Sequence, residues 1–515
     1  MSTAGRLISG SVASWAQIGV TMAAQLILVP IYLGHWDVKT YGIWLAIQGI
    51  MSALSMLDLG YQNYIAFEFL RLGQRNILDL SKALSSALVF GVMIGLTQIL
   101  LVCVFTVTDI LGFLIGENRA NDIELLRQAG IVLILQGFTW LFLNTIPGLM
   151  VRALAPFGYY PRMAWWTFLY AIMTAVAPLI AVVMGANLLW AGIAFAGSAF
   201  GYAVLFYIDV FRLLKKERIK LIKPSLKLGY SNFRLSLPLL GKALLENVRQ
   251  QGVRLVLAPL AGPVGLAAFS TMRTGANVAL QGLNTIINPL LPDLMRFLHD
   301  RDQPRSEAAF STIWIVIVAC LAPGVVILQM FIEPFYVYWT QGKIAFDPLL
   351  FALLSLGVLV YAVVQPAMAV VIGNNLTKIQ LIIAAVAGVI LFAVLSVLVP
   401  IIGIIGAAIA LLLAEIVAAV FYKVHAERWL RGNQLMWPKK AFEVSIVSVL
   451  IAAVALGLII FFPQIKWPIF AISMILFVWN FWRSWQGLPT VAIDSAKNFM
   501  IRIPGLRRLV VLFDQ

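Results

Sequence analysis

Charge is scarce in this chain. Only 11% of its 515 residues are Asp, Glu, Lys or Arg, while 62% are hydrophobic; a soluble domain carries about 25% charged residues. So little charge cannot cover a surface in water, and with a mean hydropathy of +0.94 the chain reads as a polytopic membrane protein. Cysteine is almost absent. Cys103 and Cys320 each fall inside an apolar run without metal-ligand spacing, which excludes a disulfide framework and leaves both as small core hydrophobes. The three histidines, His35, His299 and His425, are read as loop residues and form no HExxH, triad or metal pattern. No GxxxxGK[ST] loop is present, so an ATP-driven exporter of the P-loop type is excluded. An enzyme is not expected, and neither is a metal or an organic cofactor.

Long apolar runs dominate instead. At ~20 residues per crossing, fourteen spans are expected, near 8–33, 42–69, 83–107, 127–150, 164–184, 188–211, 236–260, 265–292, 308–332, 348–373, 379–399, 404–424, 441–462 and 468–486. The first run, from Leu7 to Leu33, exceeds the ~7–15 residues of a signal-peptide core and is expected to remain as a span.

The chain holds 37 Lys+Arg against 22 Asp+Glu, a net charge of +15. Such a surplus could serve a nucleic acid, but its distribution follows membrane topology. One face of the membrane collects Arg6, the group Arg71, Arg75 and Lys82, then Arg152 and Arg162. It also collects the run from Arg212 to Arg234, the group Arg296, Arg301 and Arg305, Lys378 and the basic residues after each later even span. The other face has Lys39, Arg119, Arg127, Lys343 and Lys466. The positive-inside rule then puts both termini in the cytoplasm, and no nucleic-acid partner is expected.

Two segments recur. Leu26–Gly34 is echoed by Arg254–Gly262, and Trp190–Phe195 by Gly406–Leu411. Six spans separate the members of each pair, which implies parallel repeats related by an axis along the membrane normal. The expected fold class is an all-α polytopic membrane protein of about fourteen helices, with two pseudo-symmetric six-helix lobes around a central cavity. The expected divisions are a first lobe over 1–211, a basic cytoplasmic linker over 212–234, a second lobe over 235–424, two additional helices over 425–486 and an amphipathic tail over 487–515. The linker's Lys and Arg alternate with Leu and Ile, a pattern suited to anionic lipid headgroups.

Within two apolar spans lie Lys242, Arg249, Arg254 and Arg273, against the single nearby acid Glu246. A charge at the bilayer centre costs at least ~2.5–3.5 kcal/mol on insertion scales, so such residues face a wet cavity and serve a ligand. On the seventh span Lys242, Glu246 and Arg249 share a narrow stripe that Asn247, Gln250 and Arg254 widen to an arc of about 160°. On the eighth, Arg273, Asn277, Gln281, Asn284 and Asn288 lie within about 80°. In the first lobe Ser14, Gln17, Thr21 and Gln25 line one face of the first span, and Gln48, Ser52, Ser55 and Gln62 one face of the second. Internal pairing is the alternative, with Lys242 and Arg249 on Glu246 and the amides as interhelical glue. One glutamate leaves the set positive, and buried like charges repel strongly. The expected ligand is therefore an anion bearing many hydroxyls. Asp58, Glu246 and Glu415 are the candidates for gating, or for coupling to H+ or Na+.

Several motifs carry a resemblance: Leu28-Val-Pro-Ile-Tyr-Leu-Gly34 followed by Tyr41-Gly-Ile-Trp44; Leu57-Asp-Leu-Gly60; Ser236-Leu-Pro238; Asn288-Pro-Leu-Leu-Pro292; and Pro400-Ile-Ile-Gly-Ile-Ile-Gly-Ala-Ala-Ile-Ala410. In this order the chain resembles the polysaccharide flippases, the Wzx-type O-antigen and exopolysaccharide transporters of the multidrug/oligosaccharidyl-lipid/polysaccharide exporter superfamily. The resemblance implies alternating access and a cargo of undecaprenyl-diphosphate-linked oligosaccharide, moved from the cytoplasmic to the periplasmic leaflet of the bacterial inner membrane. Lys242, Arg249, Arg254 and Arg273 would take the diphosphate. Gln17, Thr21, Gln25, Gln48, Asn247, Gln250, Asn277, Gln281 and Asn284 would meet the sugar. Membrane lipids and a polysaccharide polymerase or ligase are the implied partners, and the last two helices resemble a pair that borders a lipid groove in some relatives. Two other readings stay open: a peptidoglycan lipid-precursor flippase, and a cation-coupled multidrug or metabolite antiporter of the same superfamily.

Overall fold

The computed structural model describes residue 19 and residues 23–74, 76–117, 122–374 and 376–486. Side chains are described throughout these segments except at 160, 239, 242–251, 278–279 and 282–293. The described chain is helical: α1 (Ala23–His35), α2 (Val38–Leu72), α3 (Ile77–Val107), the short α4 (Ile110–Ile115), α5 (Ile123–Trp140), α6 (Ile146–Leu154), α7 (Tyr160–Val183), α8 (Leu188–Lys216), α9 (Leu226–His299), α10 (Gln303–Val316), α11 (Ala322–Trp339), α12 (Pro348–Gly373), α13 (Thr377–Ile402), α14 (Ile404–Gly432), α15 (Lys439–Phe461) and α16 (Lys466–Gln486). π-helical turns at Leu141–Thr145 and Ile317–Leu321 join α5 to α6 and α10 to α11. Apolar runs become helices here because lipid leaves every backbone donor and acceptor to be satisfied within its own segment. Asp37, Asp122, Asp302 and Asp347 each cap a helix N-terminus, a local role for a sizeable part of the scarce acid.

Twelve helices among the described residues are long and apolar enough to cross a membrane, fewer than the expected fourteen. The first expected span is described only as the shorter α1, and the seventh and eighth fall on the single stretch α9. An unbroken helix of 74 residues would run about 111 Å, against the ~30 Å of the hydrocarbon core. It breaks at Gly262, whose φ of 70° suits a residue without a Cβ. The repeated segments end comparably: Gly34 stands one residue before the end of α1, and Gly262 closes the first arm of α9.

Contacts divide the chain into two compact units. The first runs to Thr271 and takes in Val337–Ala345 and Leu395–Ala407. Its core is built on Tyr61, Ile65 and Phe69 of α2, Leu80 and Leu84 of α3, and Tyr202 and Val210 of α8. The Trp339 indole donates to the Leu26 carbonyl at 2.6 Å, and the Lys343 ammonium to the Trp36 carbonyl at 2.9 Å. The second unit comprises Met272–Tyr336, Phe346–Val394 and the chain from Ala408. Its core centres on Phe310, Trp314, Leu359, Val363, Tyr422 and Leu456, and the Trp314 indole donates to the Val363 carbonyl at 2.9 Å.

Gly60, in the Leu-Asp-Leu-Gly motif, faces the first arm of α9 so closely that a Cβ would stand 2.5 Å from the Leu240 Cα. Overpacking of this kind costs about 1–3 kcal/mol. Gly60→Ala is expected to lower the thermal unfolding midpoint of the purified protein and cut its folded yield; an unchanged midpoint would count against the close approach.

The linker is strapped along α3. The Ser81, Ser85 and Ser86 hydroxyls accept from the backbone N–H groups of Lys220, Ile222 and Ser225 at 3.1, 2.9 and 2.9 Å. Ile219 is buried beneath it, whereas Arg212, Lys215, Lys216, Arg218, Lys220, Lys223 and Lys227 are exposed.

Two minor expectations change. Cys320 is exposed on the π-turn and is not a core residue, and Cys103 is only partly buried. His425 lies within α14, where its Nδ1 contacts the Phe421 carbonyl at 2.8 Å, and His35 and His299 are the last residues of α1 and α9.

Candidate functional site

The stripe residues Lys242, Glu246, Asn247, Arg249 and Gln250 sit on the helical first arm of α9, and Asn284 on its second arm, but their side chains lie outside the described residues. Gln17 and Thr21 also lie outside them. Arg273, Asn277 and Gln281 are partly buried on the second arm, in the second unit. Glu415 is partly buried on α14 in the same unit. Gln25 is partly buried on α1.

Arg254 is the best-defined member of the cationic set. Its stem packs against α2, 3.7 Å from where a Cβ on Gly49 would lie. Its Nε is buried and has no hydrogen-bond partner among the described residues, and no described carboxylate stands within ion-pair distance. A guanidinium held in that way is a donor awaiting an acceptor, because an unmet buried donor keeps its full desolvation cost.

Wholly within the first unit is a cavity of about 270 Å³. Gln48, Ser52 and Ser55 of α2, which share one helical face, wall one side; the cavity they line lies inside the first unit, whereas the stripe is expected to face a central cavity between the lobes. The other walls were not anticipated: Gln136, Thr139 and Trp140 of α5, Asn144 of the π-turn, Tyr170 of α7 and Phe195 of α8. The Tyr170 and Asn144 side chains both face the cavity. Gln136 is only 4% exposed, and its Nε2 has no partner among the described residues.

Behind this wall lies Asp58, at 0% exposure. Its Oδ2 accepts from Gln62 Nε2 at 2.5 Å, Thr145 Oγ1 at 2.7 Å and Trp140 Nε1 at 3.3 Å. Its Oδ1 is buried without a hydrogen-bond partner among the described residues. Gln62 also donates to the Asn144 carbonyl at 3.2 Å, and its Oε1 accepts from Arg152, whose Nη1 reaches the Gly148 carbonyl at 3.1 Å. Arg152, read from sequence as a topology charge, is thus part of a buried network. The π-turn makes it possible: Trp140 and Thr145, five residues apart, both meet Asp58, while Asn144 between them faces the cavity. Such turns are frequent at functional sites. The available sequence signal was the i, i+4, i+8 series Gln136, Trp140, Asn144 inside an apolar span.

The two last helices enclose an apolar groove of about 340 Å³ between α15 and α16, lined by Leu450, Val454, Leu458, Ile469, Ile472 and Leu476 among others.

No protein-family model matches the sequence, and no curated protein matches it. Solved structures do match in fold. The lipid II flippase MurJ in an inward closed conformation aligns with a TM-score of 0.67 at 15% identity, over 92% of this chain and 99% of its own. A multidrug resistance MATE family transporter of the MOP superfamily aligns at 0.61 and 14% identity in an inward-facing conformation, over 80% of this chain and 95% of its own. An outward-facing conformation of a MATE family transporter of that superfamily aligns at 0.51 and 15% identity, over 83% and 96%. The chain therefore has the two-lobed, all-helical fold of MATE and MurJ transporters and is a multi-pass membrane protein.

Proposed function

We propose that this protein flips a polyprenyl-diphosphate-linked oligosaccharide, an O-antigen or exopolysaccharide repeat unit, from the cytoplasmic to the periplasmic leaflet of a bacterial inner membrane by alternating access. The observation that carries the reading is Arg254, a partly buried cation whose buried Nε has no partner among the described residues, on the same apolar stretch of α9 as Lys242, Arg249 and Arg273, where Glu246 is the one acid between Lys242 and Arg273. Diphosphate is the acceptor that suits it: guanidinium donors bind phosphate oxygens in charge-assisted pairs about twice as strong as neutral ones. The neutral cavity of the first unit supports a sugar, and the apolar groove between α15 and α16 suits a polyprenyl tail. The matching fold occurs in inward- and outward-facing forms, which supports alternating access. Coupling to H+ or Na+ falls to Asp58 first, for its bare Oδ1, and to Glu415 second.

The likeness to a lipid II flippase keeps a peptidoglycan precursor as the second reading, since it shares the diphosphate. Depletion of the protein separates the two: loss of surface glycan with normal wall synthesis supports the first, and lysis with intact glycan the second. A cation-coupled antiporter for cationic drugs would call for uncompensated acids, and the α9 stripe is net positive.

Positive charge concentrated on one face supports cytoplasmic termini, with the linker's exposed Lys and Arg against anionic headgroups. In a variant with Cys103 and Cys320 replaced by alanine, Lys223→Cys is expected to react with an impermeant thiol reagent only in inverted vesicles. Labelling in intact spheroplasts would reverse the topology.

A further inference from the structure

We propose that the cavity in the first unit is the seat of a single neutral pyranose ring of the cargo, the ring close to the diphosphate. This deepens the flippase reading and rests on it. Among the described residues no charged side chain lines the cavity, which disfavours phosphate and cationic drugs alike. Its polar groups are amides and hydroxyls, which can both donate and accept, as a sugar's hydroxyls do. At about 270 Å³ it falls just below the ~300–1,000 Å³ of sites for drug-sized ligands, so it holds one ring and not a chain of rings.

Two details show a built site. The Trp140 indole N–H is already committed to Asp58, so that side chain offers the cavity its apolar ring and no further donor. That ring suits the C–H face of a pyranose, and the bond to Asp58 fixes its orientation. One turn before it on the same face of α5, Gln136, at 4% exposure, holds an Nε2 donor without a partner among the described residues. A cavity shaped only by packing would leave neither a fixed aromatic ring nor a buried donor in want of an oxygen. The place fits the cargo as well. Arg254 packs its stem against Gly49 of α2, the helix whose Gln48, Ser52 and Ser55 line the cavity, and all of these lie in the first unit.

The test uses the purified full-length protein and saturation-transfer NMR with methyl glycosides of a hexose, a 6-deoxyhexose and an N-acetylhexosamine. At least one is expected to receive saturation. Gln136→Leu is expected to cut the signal at least tenfold, and so is Gln48→Leu, a partly exposed position that serves if the first variant fails to fold. Arg254→Ala is expected to keep the glycoside signal while losing binding of inorganic pyrophosphate. Transfer to none of the three glycosides, or a signal that survives both leucine variants, means a merely hydrated cavity and overturns the proposal. Failure of pyrophosphate to bind the wild type would instead strike the flippase reading, so the two failures are distinguishable.

Discussion

Arg254→Ala is expected to reduce glycan export by about 30-fold or more while leaving the protein at normal abundance in the membrane. Removing one partner of a buried, hydrogen-bonded charge pair costs about 2–5 kcal/mol, which converts to roughly 30-fold to several thousand-fold. Arg273→Ala is expected to act in the same direction from the second unit. Folding should survive, because the guanidinium Nε of Arg254 satisfies no described group in the resting protein, so its loss strands none there. Arg254→Lys is expected to restore only part of the activity, since an ammonium keeps the charge and loses the planar fork. Quantified surface glycan together with undecaprenyl-diphosphate-linked oligosaccharide retained inside the cell measures the effect. Normal glycan in both alanine variants would refute the diphosphate assignment.

Asp58→Asn is expected to fold and yet lose the dependence of transport on an ion gradient. Asparagine keeps a carbonyl oxygen for the donors from Gln62, Thr145 and Trp140, and puts an amide where the bare Oδ1 stands. It therefore copies the protonated or cation-neutralised state permanently. Asp58→Ala is expected to do something different: three buried donors would lose their acceptor, at about 1–3 kcal/mol each, and the yield of folded protein should collapse. Flipping in proteoliposomes with an imposed pH or sodium gradient separates the two outcomes. If Asp58→Asn retains full gradient dependence, Asp58 is not the coupling group, and Glu415→Gln becomes the variant to measure.

Much of the fold was legible because a bilayer imposes length and apolarity on each crossing. The helices α2, α3, α8 and α12 to α16 lie where apolar runs placed them, and Gly262 breaks α9 between the seventh and eighth expected spans. The polar stripe Gln48, Ser52 and Ser55 was also readable, since helical periodicity puts all three on one face. The opposite wall was not. Gln136, Trp140 and Asn144 look like stray polar residues until α5 meets α2, and a π-turn has no compositional signature that turns Thr145 toward Asp58. Arg152 misled for a related reason. A basic residue at a helix end satisfies the topology rule whether or not it also reaches 90 residues back to Gln62.

The short stretch Val337–Ala345, the end of α11 and the turn after it, is grouped with the first unit although the rest of α11 and all of α12 are not, and this limits how the molecule can be divided. A fragment ending near Thr271 would leave the Leu26 and Trp36 carbonyls without the Trp339 and Lys343 donors that serve them. Chimaeras that exchange halves with a related carrier would therefore have to transfer that stretch along with the amino-terminal portion, and Leu395–Ala407 with it. Recombination points chosen at the basic linker alone would break what the polypeptide has interlaced.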